Sequence, residues 1–580
     1  MHKTKALALI LLLSLLLTAC QNPGHRPYGV YLPLAQDKQT DYTIVSYLSN
    51  AAPVRSFAVD LLARTGAIYR LVSQPAGKTI YIGTAGQLRT PGAAALSYTE
   101  YELWIDETDN LYICMSEESV AEEVLSCVTE LVIRIEDGSY GIDRGSCTVR
   151  DITSITEAIP VFEPAAGGEP QLHNCGSGNY MARYTGITAG SADSDIAAYD
   201  AALAAAGYQL YQANRIGENR FATYIKGDTL LHYDYFAAIG EFRIIYGPQT
   251  ALFQNVPVTD YEQAVTPSVS IIEGTEDVLC MVVQLADGSF IVIDGGWDSS
   301  GWQIKTLNAG QPSQPASKLT ARYYRDADKD MQVLYDFLKQ RAPGGKPRVT
   351  WMITHANPDH ILLPTRFIRE YKGRFDLEMV IYNFPDLRSM ELDSLPGMTT
   401  SPLILNSYIS SFQKAVTECY PLAQRYVYHT GEKLFLPGGE IEFLFTPEDY
   451  YPARATGVGC TSGVWRLTVG GRTLLITGDA DASLCGRLCE TFGSYLASDM
   501  LQFPAHGTAG SLAFYQLVDP AVCFWSCQQR HLDHDGRHQG VWAGYEFNAF
   551  LRRSQRVTAH YSNSRTHTVL LPSLEEQREA

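Results

Sequence analysis

Charge is scarce in this chain of 580 residues, and positive charge scarcer still. Only 19% of the side chains are charged, with 45 Lys and Arg against 63 Asp and Glu, for a formal net charge of -18. Such a balance repels polyanions at long range, and no local basic cluster offsets it, so nucleic acid is not an expected partner. Past the first twenty residues no stretch is long and apolar enough to span a bilayer. There is no GxSxG elbow, no Walker loop and no Rossmann glycine pattern, which leaves serine hydrolase, NTPase and dehydrogenase readings without support. None of the 12 cysteines falls into zinc-ribbon spacing. Cys485 and Cys489, like Cys523 and Cys527, sit four apart, so buried small hydrophobes are expected, with a disulfide or two left open.

What is present describes a folded, multidomain chain. The hydrophobic share is 46%, which argues against wholesale disorder. This length exceeds one core, and about three or four domains is the natural expectation. Tyrosine is abundant at 35, a density that suits β-rich domains. At the N-terminus, Lys3 and Lys5 precede an apolar run from Ala6 to Leu17. That run is shorter than the roughly 20 residues of a membrane span and reads as a signal peptide over 1–20. It ends in Leu17-Thr18-Ala19-Cys20, which resembles a lipobox. The expectation is a lipid anchor on Cys20, a place on the extracytoplasmic face of the cell membrane, and no other membrane contact.

Residues 21–40 carry Pro, Gly, Gln and Asn and are expected to be a linker. Over 41–160 a small α/β domain is predicted, with strands at Tyr42–Tyr47, Thr79–Ile82, Tyr101–Ile105 and Asn110–Cys114 and helices at 52–65 and 116–132. The run "YTIVSY…SFAVDLLARTG…KTIYIGTAG…YELWIDETDNLYICMSEESVAEEVLSCVTELV" resembles the accessory α/β domain that precedes several glycoside hydrolases. In that family the domain is not catalytic, so no site is implied. Residues 175–250 read as a βαβββ module: "NYMARYTG", a helix at Ser191–Ala206, then strands Tyr208–Ile216, Arg220–Ile225 and Glu241–Tyr246. Its tyrosines 180, 184, 208, 211, 224, 233 and 235 either stack on sugars or pack the sheet against the helix.

From about Ser268 strands alternate with helices, with a helix expected near Asp330–Gln340, and four short features follow one order. "FIVIDGG" runs a buried strand into Asp294-Gly295-Gly296. "VTWMITHANPDHI" places His355, Asn357, Asp359 and His360 on the loop past a second strand. "TLLITGDAD" puts Asp479 after a third, and "DMLQFPAHGTAGS" presents His506 and Thr508 after a fourth. Together these resemble the metallo-β-lactamase superfamily over 268–580, and the last segment is similar to its competence-type (DNA-uptake) members.

The resemblance implies a four-layer αββα fold behind the two small modules. It also implies metal ligands at His355, Asp359, His360, Asp479 and His506. Asn357 stands where the family has a histidine, and an amide does not replace an imidazole as a strong zinc ligand. Ala505 likewise replaces a neighbouring histidine, and His429 is the only histidine between Leu363 and Asp479. Cys460-Thr461-Ser462 occupies a place comparable to the Asn/Ser position of competence-like members. Two carboxylates and two imidazoles remain for one zinc, manganese or iron ion, with His355 alongside.

The expected activity is hydrolysis of an ester or phosphodiester, on a small-molecule or envelope-derived substrate, with Asp359 as base and Asn357 and Thr508 contacting substrate. The alternative is a degenerate domain that binds a cell-surface glycan or ligand without turnover. A further polar run, "RHLDHDGRH", holds His531, Asp533, His534, Asp535 and His538, and reads either as pocket mouth or as a solvated loop.

Overall fold

The computed structural model describes residues 31–571 apart from 90–95, 97–99, 136–137, 148, 152–158, 166, 169, 177–178, 249–255, 309–317, 386–401, 451–454, 456 and 533–545. The leader and Cys20 therefore lie outside the described residues, as do Asp533, His534, Asp535 and His538. No helix among the described residues is long and apolar enough to cross a membrane. The chain divides into two compact units, Met1–Ile159 and Pro160–Ala580. Both are mixed α/β, with several sheets.

In the first unit a six-stranded sheet runs Arg70–Leu71, Tyr42–Ser46, Lys78–Thr84, Leu111–Met115, Glu100–Ile105, Val149–Asp151. The helices Ala52–Thr65 and Ala121–Leu131 bury Phe57, Leu61, Val124 and Val128 against Ile44, Ile80 and Ile113. The first helix stops at Gly66, whose φ of 74° is the left-handed cap conformation that glycine adopts without penalty. Residues 31–35 are not linker. Tyr31–Ala35 pairs with Tyr140–Asp143 and buries Leu32 and Leu34 in the same core. The alternation in YLPLA, with Pro33 exposed between two buried leucines, is the strand signal that the polar surroundings obscured.

The second unit begins with another six-stranded sheet, in the order Gln171–Gly176, Asn179–Thr185, Glu241–Pro248, Thr229–Phe236, Asn219–Lys226, Gln209–Ile216. Two of these strands, Gln171–Gly176 and Thr229–Phe236, exceed the βαβββ expectation. On one face Tyr184 and Phe242 pack round Phe162 with Tyr199 of the helix Ala189–Ala205. Tyr224 and Tyr233 both donate to Asp200 on that helix. These rings fill the sheet's own core. The other face carries Ile216, Phe221 and Phe236 into a core shared with the C-terminal strands and helices.

Two seven-stranded sheets follow. The first runs 424–426, 376–381, 348–352, 290–294, 280–284, 268–271, 567–570; the second runs 433–436, 439–445, 464–469, 472–476, 500–502, 522–525, 559–562. One core, with Ile291, Ile293, Phe443, Trp465 and Ile476, lies between them. The outer face of the first sheet is covered by helices Ala327–Arg341, Pro358–Glu370 and Pro402–Cys419, and that of the second by Ala482–Phe492 and Leu512–Val518. Burial on both faces explains why these strands read as unbroken apolar runs rather than as alternation. Cys114, Cys280, Cys460, Cys485, Cys523 and Cys527 are buried.

Candidate metal centre

Four segments reach one end of the two large sheets. The strand Phe290–Asp294 runs parallel to Arg348–Met352, so Asp294 and the segment just after Met352 emerge side by side. Asp294 has a φ of 53°, a left-handed conformation that costs a non-glycine residue about 1 kcal/mol. In that pose its carboxylate accepts from the Thr354 amide at 2.7 Å, the Thr354 hydroxyl at 2.6 Å and His360 Nδ1 at 2.7 Å.

The helix Pro358–Glu370 starts directly below. Asn357 takes the extended N-cap conformation, Pro358 fills the first turn where its missing N–H is no loss, and Asp359 places negative charge at the helix N-terminus. Asp359 and His360 thus sit in a helical first turn and not on a loop, the result of Pro358 preorganising φ.

Asp479 follows the strand Arg472–Ile476 through Thr477-Gly478, whose amides both donate to the buried Gln502 side chain at 2.8 Å. A Cβ on Gly478 would come within 3 Å of Ser462 and Thr354, so the turn can approach the other strand only as glycine. His506 lies in the turn Pro504–Gly507, where both Ala505 and His506 have positive φ. Three of the eight non-glycine residues with positive φ among the described residues therefore converge here, and strain of that kind collects at functional sites.

The side chains meet closely. His506 Nε2 is 3.1 Å from Asp359 Oδ2 and 3.6 Å from Asp479 Oδ1, and His360 Nε2 is 3.4 Å from the same Asp479 oxygen. Ligand atoms of Asp359, His360, Asp479 and His506 all lie within 4.8 Å of one another. His355 is outside that set of four. Its Nε2 faces the second oxygen of Asp479 at 3.7 Å, and its ring packs 4.0 Å from that of His360.

The tautomers follow from the partners. His506 Nδ1 donates to the Ser526 carbonyl at 2.7 Å, and His360 Nδ1 donates to Asp294. His355 Nδ1 lies 3.0 Å from the Thr354 hydroxyl, which is itself a donor to Asp294, and 3.2 Å from Ser462 Oγ. Each imidazole is held by its Nδ1 and turns Nε2 inward. Those three Nε2 atoms and Asp479 Oδ1 are buried without any hydrogen-bond partner. Groups of that kind are costly unless something binds them, and histidines oriented through the second nitrogen are the usual arrangement around a metal. The residues present fit a metal ion.

Charge in the cluster is polarised to match. Burial lowers His355 to about 3, with the neighbouring His360 adding to the effect, so its imidazole is neutral. Burial also opposes charge on His506 and His360. The carboxylates of Asp479 and Asp359 outweigh it, raising His506 to about 9 and His360 well above its ordinary value. Asp359 is held near 2 because the His360 and His506 imidazoles overcome its burial, and Asp479 is held down likewise. Without a metal, protons on two imidazoles balance the two carboxylates. A divalent cation would displace them.

Four of the five predicted ligands, Asp359, His360, Asp479 and His506, come together, and His355 lies beside them against the second oxygen of Asp479. Asn357 supplies the helix N-cap, and its carbonyl accepts from the His360 and Ile361 amides. Thr508 donates its hydroxyl to the Ala505 carbonyl at 2.7 Å, which bends the His506 turn. His429 is elsewhere, paired with Glu448 at 2.8 Å. Asp294, read from sequence only as a turn, is the orienting carboxylate of the site. Ser462 also went unassigned to a role; it accepts from the Asp479 amide at 2.9 Å. A second group, Glu276, Asp277 and His531, is close enough to hold an ion. There His531 bonds Asp277 through Nδ1 at 2.7 Å and meets Arg530 through Nε2 at 3.2 Å, so both ring nitrogens are used. His531 is buried rather than solvated because Asp277 and Gln528 tie its segment to the strand end.

No family model and no curated protein matches the chain. Among solved structures it is similar to CmlA, a diiron beta-hydroxylase from Streptomyces venezuelae, at 12% identity over 56% of this chain and 55% of that one, TM-score 0.30. It is similar to the metallo-beta-lactamase fold protein YhfI from Bacillus subtilis at 11% identity, over 53% and 100%, TM-score 0.28. A third is Zn(2+)-bound PqqB from Methylobacterium extorquens at 13%, over 39% and 59%, TM-score 0.22. The chain spans little more than half the length of CmlA. Likenesses of this size carry no functional inference, and the chemistry of the site is read from its own atoms.

Proposed function

We propose that this chain is a metal-dependent hydrolase of metallo-β-lactamase type. It would act on an ester or phosphodiester through one ion held by Asp359, His360, Asp479 and His506, with His355 beside the far oxygen of Asp479. The observation that carries this reading is the inward convergence of three imidazole Nε2 atoms and one carboxylate oxygen, all buried and all without a hydrogen-bond partner. The order of layers in residues 268–571, helix, sheet, sheet, helix, and the order of the four motifs support the family. A bound zinc, manganese or iron ion would polarise a scissile carbonyl or phosphoryl group and make water a nucleophile near neutral pH.

The protein's own groups do the rest. Asp294, Thr354 and Ser526 lock the imidazole tautomers. Asp359 is the most exposed member of the set, its side chain 18% accessible, and its carboxylate is ionised. It is the group placed to accept a proton from water. The lipid anchor at Cys20, an extracytoplasmic location, the competence-type kinship and the accessory character of 41–137 belong to the same proposal, supported by the sequence motifs alone.

The test is metal content of the chain purified without chelator, beside an Asp479→Asn, His506→Ala double variant. About one tightly held ion per chain in the first and none in the second is the expected result. No ion in either, after zinc and manganese are added back, overturns the reading.

A further inference from the structure

One buried cation near the metal centre has no counter-charge in contact. Arg325 ends the strand Lys318–Arg325, and it is only 5% exposed. Its guanidinium makes no hydrogen bond or ion pair among the described residues, and its NH1 nitrogen is buried without a partner. A buried guanidinium nitrogen without a hydrogen bond is unfavourable. It is nevertheless held in place. The guanidinium carbon lies over the Trp297 ring, 3.7 Å from its centroid, in cation–π contact. The following amide, Asp326, donates to Thr275 Oγ1 at 2.8 Å, and Thr275 donates in turn to Asp330.

Both anchors belong to the metal-site end of the sheets. Trp297 comes three residues after Asp294, and Gly296 between them accepts from the Leu363 amide of the Asp359–His360 helix at 2.8 Å. Thr275 directly precedes Glu276, whose neighbour Asp277 bonds the Gln528 amide, two residues past the Ser526 carbonyl that holds His506. The carboxylates whose fields reach Arg325 are those of Glu276, Asp359 and Asp298, in that order. None pairs with it. Glu276 meets Arg530 at 3.2 Å, and Asp359 meets His506 at 3.1 Å. An ion that neutralised Asp359 would remove one of the three fields that favour the charge on Arg325 and leave those of Glu276 and Asp298, neither of which contacts it.

We propose that Arg325, held over Trp297, is an oxyanion-binding residue next to the metal centre, and that the substrate carries a phosphate or carboxylate group there. A fixed planar fork with open N–H donors is suited to either anion, and the ring contact holds it without satisfying those donors. Only the word substrate rests on the hydrolase reading; anion binding does not. In a phosphodiester the anion is the scissile group itself, whereas in an ester it is a substituent beside the scissile bond.

The test titrates inorganic phosphate and, separately, acetate into the full chain, with calorimetry and thermal melting as readouts and metal content measured on the same samples. Arg325→Met and Arg325→Lys are compared with the unsubstituted protein. Weakening of anion binding by roughly tenfold or more in Arg325→Met, with partial recovery in Arg325→Lys, is the expected result. The ligand-free melting temperature of Arg325→Met should be no lower than that of the parent, since an unpaired buried charge has been removed. Tighter phosphate than acetate points to phosphate-bearing substrates, and the reverse to carboxylated ones. Equal affinity in parent and Arg325→Met overturns the proposal, as does the absence of any anion binding by the parent. A lower melting temperature with anion binding unchanged assigns Arg325 a structural role and overturns it too. Anion binding without metal would leave this site standing and remove the hydrolase, while metal without anion binding would do the opposite.

Discussion

Residues 160–580 contain two sets of buried histidines and carboxylates, similar in composition and wired in opposite ways. In the metal-centre set, His355, His360 and His506 are each fixed by Nδ1 and turn Nε2 toward the Asp359 and Asp479 carboxylates without a hydrogen bond. In the other, between the six-stranded sheet and the strands near Glu448, the histidines are used internally. His232 engages Thr223 at 2.9 Å and the Thr430 carbonyl at 3.0 Å, and its ring stacks 5.1 Å from His429, which pairs with Glu448. Arg243, fully buried, donates to Glu241 and to the carbonyls of Glu448 and Asp449 at 3.0 Å. The second set joins sheet to sheet. Asp234 is its exception: both oxygens lack a hydrogen bond, and burial, despite Arg243, pushes the carboxyl well above its ordinary value. Burial disfavours charge on that group, whereas the Asp359 and Asp479 carboxylates are held in the charged form by the imidazoles beside them. Residue types do not separate the two sets. Inward-facing atoms without a hydrogen bond do.

Substitutions can break that contrast, beginning with the largest effect. Arg243→Met removes a buried cation shared by Glu241 and Asp449, leaving Glu241 with Arg183 and Asp449 with Thr430 and Thr446, and should cost about 3 kcal/mol in denaturant unfolding. Metal content should be untouched, and a loss of metal along with stability would show the two sets to be coupled. Next is a pH effect of similar size. Burial disfavours charge on His429, but Glu448 outweighs it and raises the imidazole to about 9 from 6.5. A raised folded-state value gives stability that is complete below pH 6.5 and is lost as pH rises through about 9. The loss should be about 3 kcal/mol. Subtracting the unfolding free energy of Glu448→Gln at each pH should isolate this slope, and parallel curves would refute it.

Smaller changes probe the metal centre. Asp294→Asn keeps the shape but weakens the anchor of His360, and should lower metal affinity about 10–100-fold by competition with a chelator. Unchanged affinity would mean the Thr354 hydroxyl alone orients the ring. Ser462→Ala removes the acceptor of the Asp479 amide and one neighbour of His355. About 1 kcal/mol of stability is the expected loss, with metal retained.

Much of this was legible in the chain itself. The ligand motifs stand out because each follows a strand buried on both faces, and such strands are continuous apolar runs that end in turn residues. The helix Pro358–Glu370 was legible only in part: His-x-Asn-x-Asp-His suggested a loop, while Pro358 in the first turn allowed the helix to begin under Asp359. Asp294 looked like a turn residue because its partners, Thr354 and His360, are about sixty residues away. Thr229–Phe236 was missed because TLLHYDYF, buried on both faces, lacks strict alternation. Its polar members, His232 and Asp234, face an interface that local sequence does not reveal.

Sequence alone determined the candidate ligand types, their order and the strand ends that present them, since these depend on local turns and on apolar runs. Tertiary structure decided which histidines are open. His429 and His506 look alike in the chain, each following a buried strand or turn. Packing gave His429 a carboxylate of its own in Glu448, while the Ser526 carbonyl took only the Nδ1 of His506. Close approach also depended on packing: a Cβ on Gly431 would lie 2.0 Å from the Phe221 ring, a constraint that comes from more than two hundred residues away. Pairings at that separation are set by how the sheets stack, and no local pattern of residues specifies them.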